Sequence, residues 1–363
     1  MKIVVTGLRG FPDIQGGVER HSEELYPRIA NLGQEIIVSR RSNFITDQNK
    51  NARYDRITFI DISAPHIVGL ESALHTLKSV LYAKRIKADL VHIHAVGPSI
   101  AVPLAKLLGL KVVVTHHGPD YDREKWGFFA KFILQLGECF AALFADRIIV
   151  ISDVIRTLLK RKYNRTKGVN LIYNGISTFP KSSHTNYIES LGLKKEKYVL
   201  AVGRFVEEKR LDKLIEAFVK IDNHEDYKLV IAGGSDYEDS YSLFLKGFAL
   251  ENQVVLTGII KGEKLAELYK NAALFVIPSS HEGLPITLLE AMSFNKKVIA
   301  SNIPANLEVG LPKECYFELN DIEELSAKIA KALKTKTPIS YDLKKYNWDT
   351  IAKQVLDVYN MIL

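Results

Sequence analysis

Cysteine is nearly absent from this 363-residue chain: only Cys139 and Cys315 occur. Two thiols cannot staple a small scaffold, and neither sits at a metal-ligand spacing, so a reducing cytosol is the expected compartment. Long apolar runs are also missing. A membrane-spanning helix needs roughly 18 such residues, and the best stretch, 126–152, is broken by Lys131, Glu138, Asp146 and Arg147. The opening MKIVVTG turns polar by Arg9, which is too early for a secretory signal. No short-period repeat or low-complexity tract appears, which excludes a solenoid and a disordered chain. What is present is ordinary for a globular protein, with 47% hydrophobic and 25% charged residues. The length exceeds what one core usually serves and points to two domains. Lys and Arg number 49 against 42 acidic residues, a net +7. That balance favours acidic partners (phosphates, nucleic acid or anionic lipid) without choosing among them.

Strand-like and helix-like patterns alternate along the whole chain. Apolar, β-rich runs fall at 2–6, 35–39, 57–62, 90–94, 111–115, 147–151 and 169–173, with helical spacing at 18–32, 72–87, 99–108 and 128–145. The pattern restarts with strands at 198–202, 228–232, 254–257, 274–277 and 297–301, separated by helices near 211–221, 241–250, 263–270 and 285–294. Strands that are apolar on both faces and separated by helices belong to parallel sheets covered on each side. The polar segment 176–197 marks the junction, and helices at 321–334 and about 349–363 close the chain. The expected fold class is therefore α/β: two doubly wound, Rossmann-like halves, 1–180 with 349–363 and 181–348, whose strand ends face a cleft.

Four segments carry chemistry. Glu282-Gly283-Leu284-Pro285 follows the strand 274–277 and opens a helix in which Pro285 suits the first position. Free N–H groups there make an anion site at a strand's carboxyl end. Eight residues on, Glu290 falls in the apolar stretch Leu288-Leu289-Glu290-Ala291-Met292 and needs a donor, either sugar hydroxyls or a cation. In Gly203-Arg204-Phe205-Val206-Glu207-Glu208-Lys209, two cations five residues apart suit a pyrophosphate. A solvated charged loop is the competing reading. After the first strand, Thr6 to Arg20 holds the pair Gly16-Gly17 at a helix start, where backbone amides can approach a phosphate closely. G-x-G-x-x-G is absent there. Finally, His116-His117-Gly118-Pro119-Asp120 ends the strand 111–115, where a histidine can reach a cleft. His92 and His94 alternate on a strand, share one face and read as structural. Asp120-Tyr121-Asp122 has the spacing of a metal-sugar-nucleotide motif without its strand context.

Together, Gly16-Gly17, His117, Arg204 with Lys209, and Glu282 with Glu290 resemble the retaining glycosyltransferases of family 4, with the GT-B fold, over nearly the whole chain. The segment from His117 to Gly127 resembles a branch that assembles bacterial capsule and O-antigen. The resemblance implies catalytic roles for His117, Arg204, Lys209 and Glu282. It implies donor binding by Gly16, Gly17, Arg204, Lys209, Glu282, Gly283, Leu284 and Glu290. Arg204 and Lys209 would neutralise the diphosphate, Glu290 would hold the ribose, Glu282 would touch the donor sugar, and His117 would lie near the reacting carbon. Arg9, Asp120 and Trp126 are acceptor candidates. A UDP-, GDP- or dTDP-sugar is the implied co-substrate, with no cofactor and no metal.

The basic stretches 74–87 and 155–167 and the aromatics Trp126, Phe128, Phe129 and Phe132 suggest docking of the first half on an anionic inner membrane. A polyprenyl-linked glycan acceptor would reside there, and the enzyme would be cytoplasmic or peripheral on that membrane. Two alternatives remain at this point: an NADP-dependent dehydrogenase, because Ser39-Arg40-Arg41 after the second strand suits a 2′-phosphate, and a GT-B protein without transferase activity. A nucleic-acid binder is suggested by charge alone and lacks a reader helix or aromatic platform.

Overall fold

The computed structural model describes residues 1–65, 71–122, 127–177, 179–180, 184–222, 224–235, 238–335 and 339–363. They form two compact units, Met1–Gly175 with Lys344–Leu363, and Ile176–Leu343.

In the first unit the strands are β1 (Lys2–Thr6), β2 (Glu35–Arg41), β3 (Ile57–Ile62), β4 (Leu90–His94), β5 (Lys111–His116), β6 (Arg147–Val150) and β7 (Val169–Leu171). They pair in parallel in the order β3-β2-β1-β4-β5-β6-β7. Helices cover both faces, so the β-branched residues of the central strands, such as Ile3, Val5, Val91 and Val113, are fully buried. The chain winds outward from β1 to β3 and then crosses to β4. The order thus reverses between β1 and β4, the point beyond whose strand ends open α/β sheets bind ligands.

The last helix, Trp348–Asn360, belongs to this unit. Asn347 caps it by accepting from the Thr350 amide. Trp348, Ile351, Ala352, Val355, Val358 and Tyr359 recur at helical spacing and join the core formed by Leu25, Tyr26 and Ile29 of the helix Gly17–Asn31. Each large apolar side chain buried there stabilises the unit by roughly 1.5–3 kcal/mol.

The second unit has β8 (Tyr198–Val202), β9 (Lys228–Ala232), β10 (Val255–Gly258), β11 (Leu274–Ile277), β12 (Val298–Ser301) and β13 (Tyr316–Phe317), in the order β10-β9-β8-β11-β12-β13. Here the reversal lies between β8 and β11. Four α-helices and strands among the described residues escaped the sequence patterns because each is short or polar: the helix Asp153–Tyr163 capped by Ser152, the one-turn helices Asn186–Ser190 and Pro304–Leu307, and the two-residue β13.

Candidate functional site

In the second unit, the two strands that flank the reversal carry the site. Gly203 and Arg204 follow β8, and a 3-10 turn, Glu207–Lys209, brings the Lys209 side chain back over Gly203. The loop after β11 meets that turn, because the Ser280 amide donates to the Glu208 carbonyl at 2.9 Å. This bond sets Glu282 against Lys209, whose Nζ donates to Oε1 at 2.5 Å. Burial works to raise the Glu282 carboxyl, but the adjacent Lys209 charge holds it below the usual carboxylate range. Gly233 also has a local reason to be glycine. Its φ is +146°, and a Cβ would overlap the Gly203 carbonyl where the β8 and β9 loops touch.

Glu290 lies buried in the helix Ile286–Ser293. The donor its position demands is a phenol, since Tyr269 donates to its Oε2 at 2.9 Å. Burial, and then the Glu290 charge, raise the Tyr269 hydroxyl far above its ordinary value and keep it a donor. One expectation is corrected here. Pro285 is not the first helical residue but the one before it, with extended ψ of 103°, and Gly283 and the buried Leu284 form the approach to the helix.

In the first unit, Gly16 precedes the helix Gly17–Asn31 with φ of +149°. That φ favours glycine, and the Glu19 carboxylate lies where a Cβ would project, whereas Gly17 faces open space. Glu19 Oε1 also accepts from the Arg9 amide at 3.0 Å. The Arg9 guanidinium turns back on its own loop, donating to the Gln15 carbonyl at 3.2 Å and lying 5.0 Å over Phe44.

His117 follows β5 and joins a group of buried rings. His94 Nδ1 lies 2.9 Å from His117 Nε2, and His94 Nε2 lies 2.5 Å from the Tyr26 hydroxyl. His21 bonds Asn174 Oδ1 at 2.9 Å through Nδ1. Burial pushes His21 down to about 4 and His92 to about 3, and it takes His94 and His117 well below the ordinary histidine range. The cluster is therefore neutral at pH 7. His21, His94 and His117 bring ligand-capable atoms within 4.8 Å of one another, yet both nitrogens of His94 are already engaged in hydrogen bonds.

The neighbouring His116 is structural. Its Nδ1 accepts from the Gly118 amide at 3.1 Å, so its Nε2 donates to Glu138 at 3.0 Å. Glu138 is fully buried and also accepts from Tyr121, Lys162 and Tyr163. These contacts tie down the turn Asp120–Asp122, which carries Asp120. Trp126 lies outside the described residues. Two of the three residues that suited the dehydrogenase alternative are committed elsewhere. Arg40 is buried and donates twice to Asp61, and Ser39 bonds Ser79 at 2.6 Å, so neither is available for a 2′-phosphate.

The family model described as "Glycosyl transferases group 1" matches residues 183–351, and "Glycosyltransferase Family 4" matches 15–178. The chain belongs to the group 1 glycosyltransferases. An uncharacterised glycosyltransferase of Methanocaldococcus jannaschii is 25% identical over 397 residues, spanning 100% of this chain and 99% of its own. Sucrose-phosphate synthase of Thermosynechococcus elongatus superposes with a TM-score of 0.76 at 20% identity, covering 99% of this chain and 98% of its own. HepE of Anabaena, solved with UDP-glucose, gives 0.75 at 16%, covering 100% and 98%. The fold is GT-B, as the sequence led us to expect.

For this glycosyltransferase, sequence reasoning missed the residues that hold the candidates in place. Tyr269, Ser280, Tyr26 and Glu138 carry no motif, and Glu138 was legible only as a charge interrupting an apolar run.

Proposed function

We propose that this enzyme moves a hexose from a nucleoside-diphosphate sugar to a glycan acceptor, with retention at the anomeric carbon and without a metal. The observation that carries this reading is the paired charge at the reversal of the second sheet: Lys209 on Glu282, with the Lys209 side chain over Gly203, which precedes Arg204, and Glu290 buried in the helix that follows Glu282. HepE, of the same fold, was solved with UDP-glucose, and a UDP-sugar is accordingly the first donor to test. Lys209 and Arg204 meet the diphosphate as its bond to the sugar breaks, where preorganised donors act on developing negative charge. Glu290, steadied by Tyr269, accepts from the ribose hydroxyls, and Glu282 accepts from a sugar hydroxyl. Gly16, Gly17, Gly283 and Leu284 contribute backbone amides to the donor. His117 contacts the sugar near the reacting carbon, while Arg9, Asp120 and Trp126 serve the acceptor. Metal independence accords with two cations beside the leaving group and with both His94 nitrogens already bonded.

We further assign the acceptor to a lipid-linked glycan of bacterial capsule, O-antigen or exopolysaccharide assembly, reached from the cytoplasmic face. No helix among the described residues is long and apolar enough to cross a membrane. The helix Phe128–Phe144 nonetheless exposes Phe128, Phe129 and Phe132 by 91%, 68% and 53%, while its one carboxylate, Glu138, is buried. Such a face suits insertion among anionic headgroups.

Calorimetry against UDP, GDP, dTDP, ADP and NADPH, with Glu290→Ala as control, tests the donor reading. Binding of one diphosphate that is lost in the variant supports it. Binding of NADPH alone would end it. The anomeric configuration of the product, read by NMR, tests retention.

A further inference from the structure

Behind His117 runs a chain of buried polar side chains to which the proposed reaction gives no role. His92 and His94 point to one face of β4, where Tyr26 from the helix Gly17–Asn31 and Tyr359 from the helix Trp348–Asn360 meet them. His92 Nδ1 lies 2.6 Å from the Tyr359 hydroxyl and 2.9 Å from that of Tyr26, and its Nε2 lies 2.7 Å from Thr115 Oγ1. The two imidazoles of β4 stack with centroids 4.4 Å apart, and His94 stacks in turn on His117 at 5.2 Å.

The protons in this chain can be placed by accounting. His92 and His94 are buried, His117 is partly exposed, and all three are neutral, so each carries one N–H and one lone pair. Both phenols are raised far above their ordinary value by burial and keep their protons. His92 Nδ1 has a single lone pair, and the nearer phenol, Tyr359, fills it. His92 then donates through Nε2 to Thr115. Tyr26 then has two acceptors open to it, the Tyr359 hydroxyl oxygen and His94 Nε2, and the 2.5 Å contact assigns its proton to His94. With Nε2 accepting, the hydrogen of His94 sits on Nδ1 and is donated to His117 Nε2. His117, with its Nε2 lone pair occupied, carries its own hydrogen on Nδ1.

We propose that Tyr26 and His94 are positioning residues that fix His117 as the Nδ1–H tautomer, so that it offers the substrate a hydrogen-bond donor rather than a base. This rests on the reading above that His117 meets the donor sugar. A hydrogen on Nδ1 suits a sugar oxygen as acceptor and prevents His117 from taking the proton of the incoming hydroxyl. A hydrogen bond that selects a tautomer acts on the functional histidine without touching substrate. Nothing in the sequence marks the device, because Tyr26, His94 and His117 come from three separate elements.

The test uses the full chain labelled with 15N-histidine and long-range 1H–15N correlation, with His117 assigned by the loss of its signals in His117→Ala. The expected result is a neutral Nδ1–H pattern for His117. Tyr26→Phe removes one oxygen and keeps the ring; it should convert His117 to a mixture of tautomers. His94→Ala should do the same, and if that variant fails to fold, Tyr26→Phe alone decides. An Nε2–H pattern for His117 in the parent, or a pattern untouched by Tyr26→Phe, overturns the proposal. These spectra need no substrate, so they stand apart from the donor reading. That reading fails instead if His117→Ala turns over UDP-glucose as the parent does. Where the parent turns over UDP-glucose, Tyr26→Phe should lower kcat by about 10-fold with KM changed far less.

Discussion

The two units share a fold plan and differ in how they keep polar groups at their strand ends. In the second unit charge is retained by pairing: Lys209 rests on Glu282, and a phenol serves Glu290. In the first unit the histidines beside the reversal lose their charge to burial, and phenols and a neighbouring ring satisfy them. Both solutions answer the same cost, since an unpaired ion out of water is more expensive than a neutral, bonded group. The difference follows what each half is proposed to meet. A leaving diphosphate needs fixed cations, whereas a neutral sugar needs donors and acceptors of defined direction.

Acid should separate the halves most strongly. His21 and His75 are held at about 4 and His92 at about 3, against 6.5 when free, chiefly by burial. A folded value depressed in this way means that the unfolded chain binds more protons between the two values. Stability is then full above 6.5 and falls as pH drops through that window, by roughly 1.4 kcal/mol per pH unit for each histidine. At Glu138 burial opposes ionisation, but His116, Lys162 and Tyr163 hold the carboxyl at about 2. Its contribution is present above about 4.5 and is lost as pH falls toward 2. Hydrogen exchange at pH 7.5 and pH 5.5 should show the first unit opening first. Equal loss of protection in both units would erase the contrast.

Next in size is Lys209→Ala. If the cation acts on the leaving phosphate, UDP-glucose turnover should fall about 10²–10³-fold, the scale for removing one preorganised donor. The Glu282 carboxyl should also rise once its partner is gone, because burial then acts on it unopposed. Wild-type kcat in the variant would mean the pair is structural.

The exposed aromatic face gives a smaller effect. Phe132→Ser should weaken binding to anionic liposomes by about tenfold if a half-exposed ring is buried in the interface, near 1.5 kcal/mol. The matching change on the second unit, Phe244→Ser, should leave liposome binding unaltered although Phe244 is 54% exposed. Equal losses from the two variants would remove the special status of the first unit.

Smallest is Tyr269→Phe. Loss of the hydroxyl that faces Glu290 should weaken UDP binding by roughly 0.5–1.5 kcal/mol, the net worth of one hydrogen bond. Calorimetry would read it as a two- to twelve-fold change in Kd.

Much of the molecule was legible from the chain alone where periodicity is local. The Val- and Ile-rich runs around Ile3 and Val113 announced parallel strands because burial on both faces forces continuous apolar residues. Glu290 announced its need for a donor because a carboxylate among leucines must have one. What stayed hidden were partners. Tyr269 lies on another helix from Glu290, and His94 lies a strand away from His117, so neither pair leaves a spacing in the sequence. Glu138 showed only as an interruption, yet it accepts from four side chains and ties down the Asp120 turn.

The sequence by itself determined the alternation of the longer strands and helices, the two-unit plan and the residues at the strand ends. Those follow from apolar spacing and chain stiffness, which act between near neighbours. Only the tertiary structure decided that Arg40 is locked on Asp61, that Lys209 meets Glu282, and that His117 ends a run of neutral rings. Hydrogen bonds and ionisation depend on which groups are desolvated together, and distant segments become neighbours only when the sheets are wound.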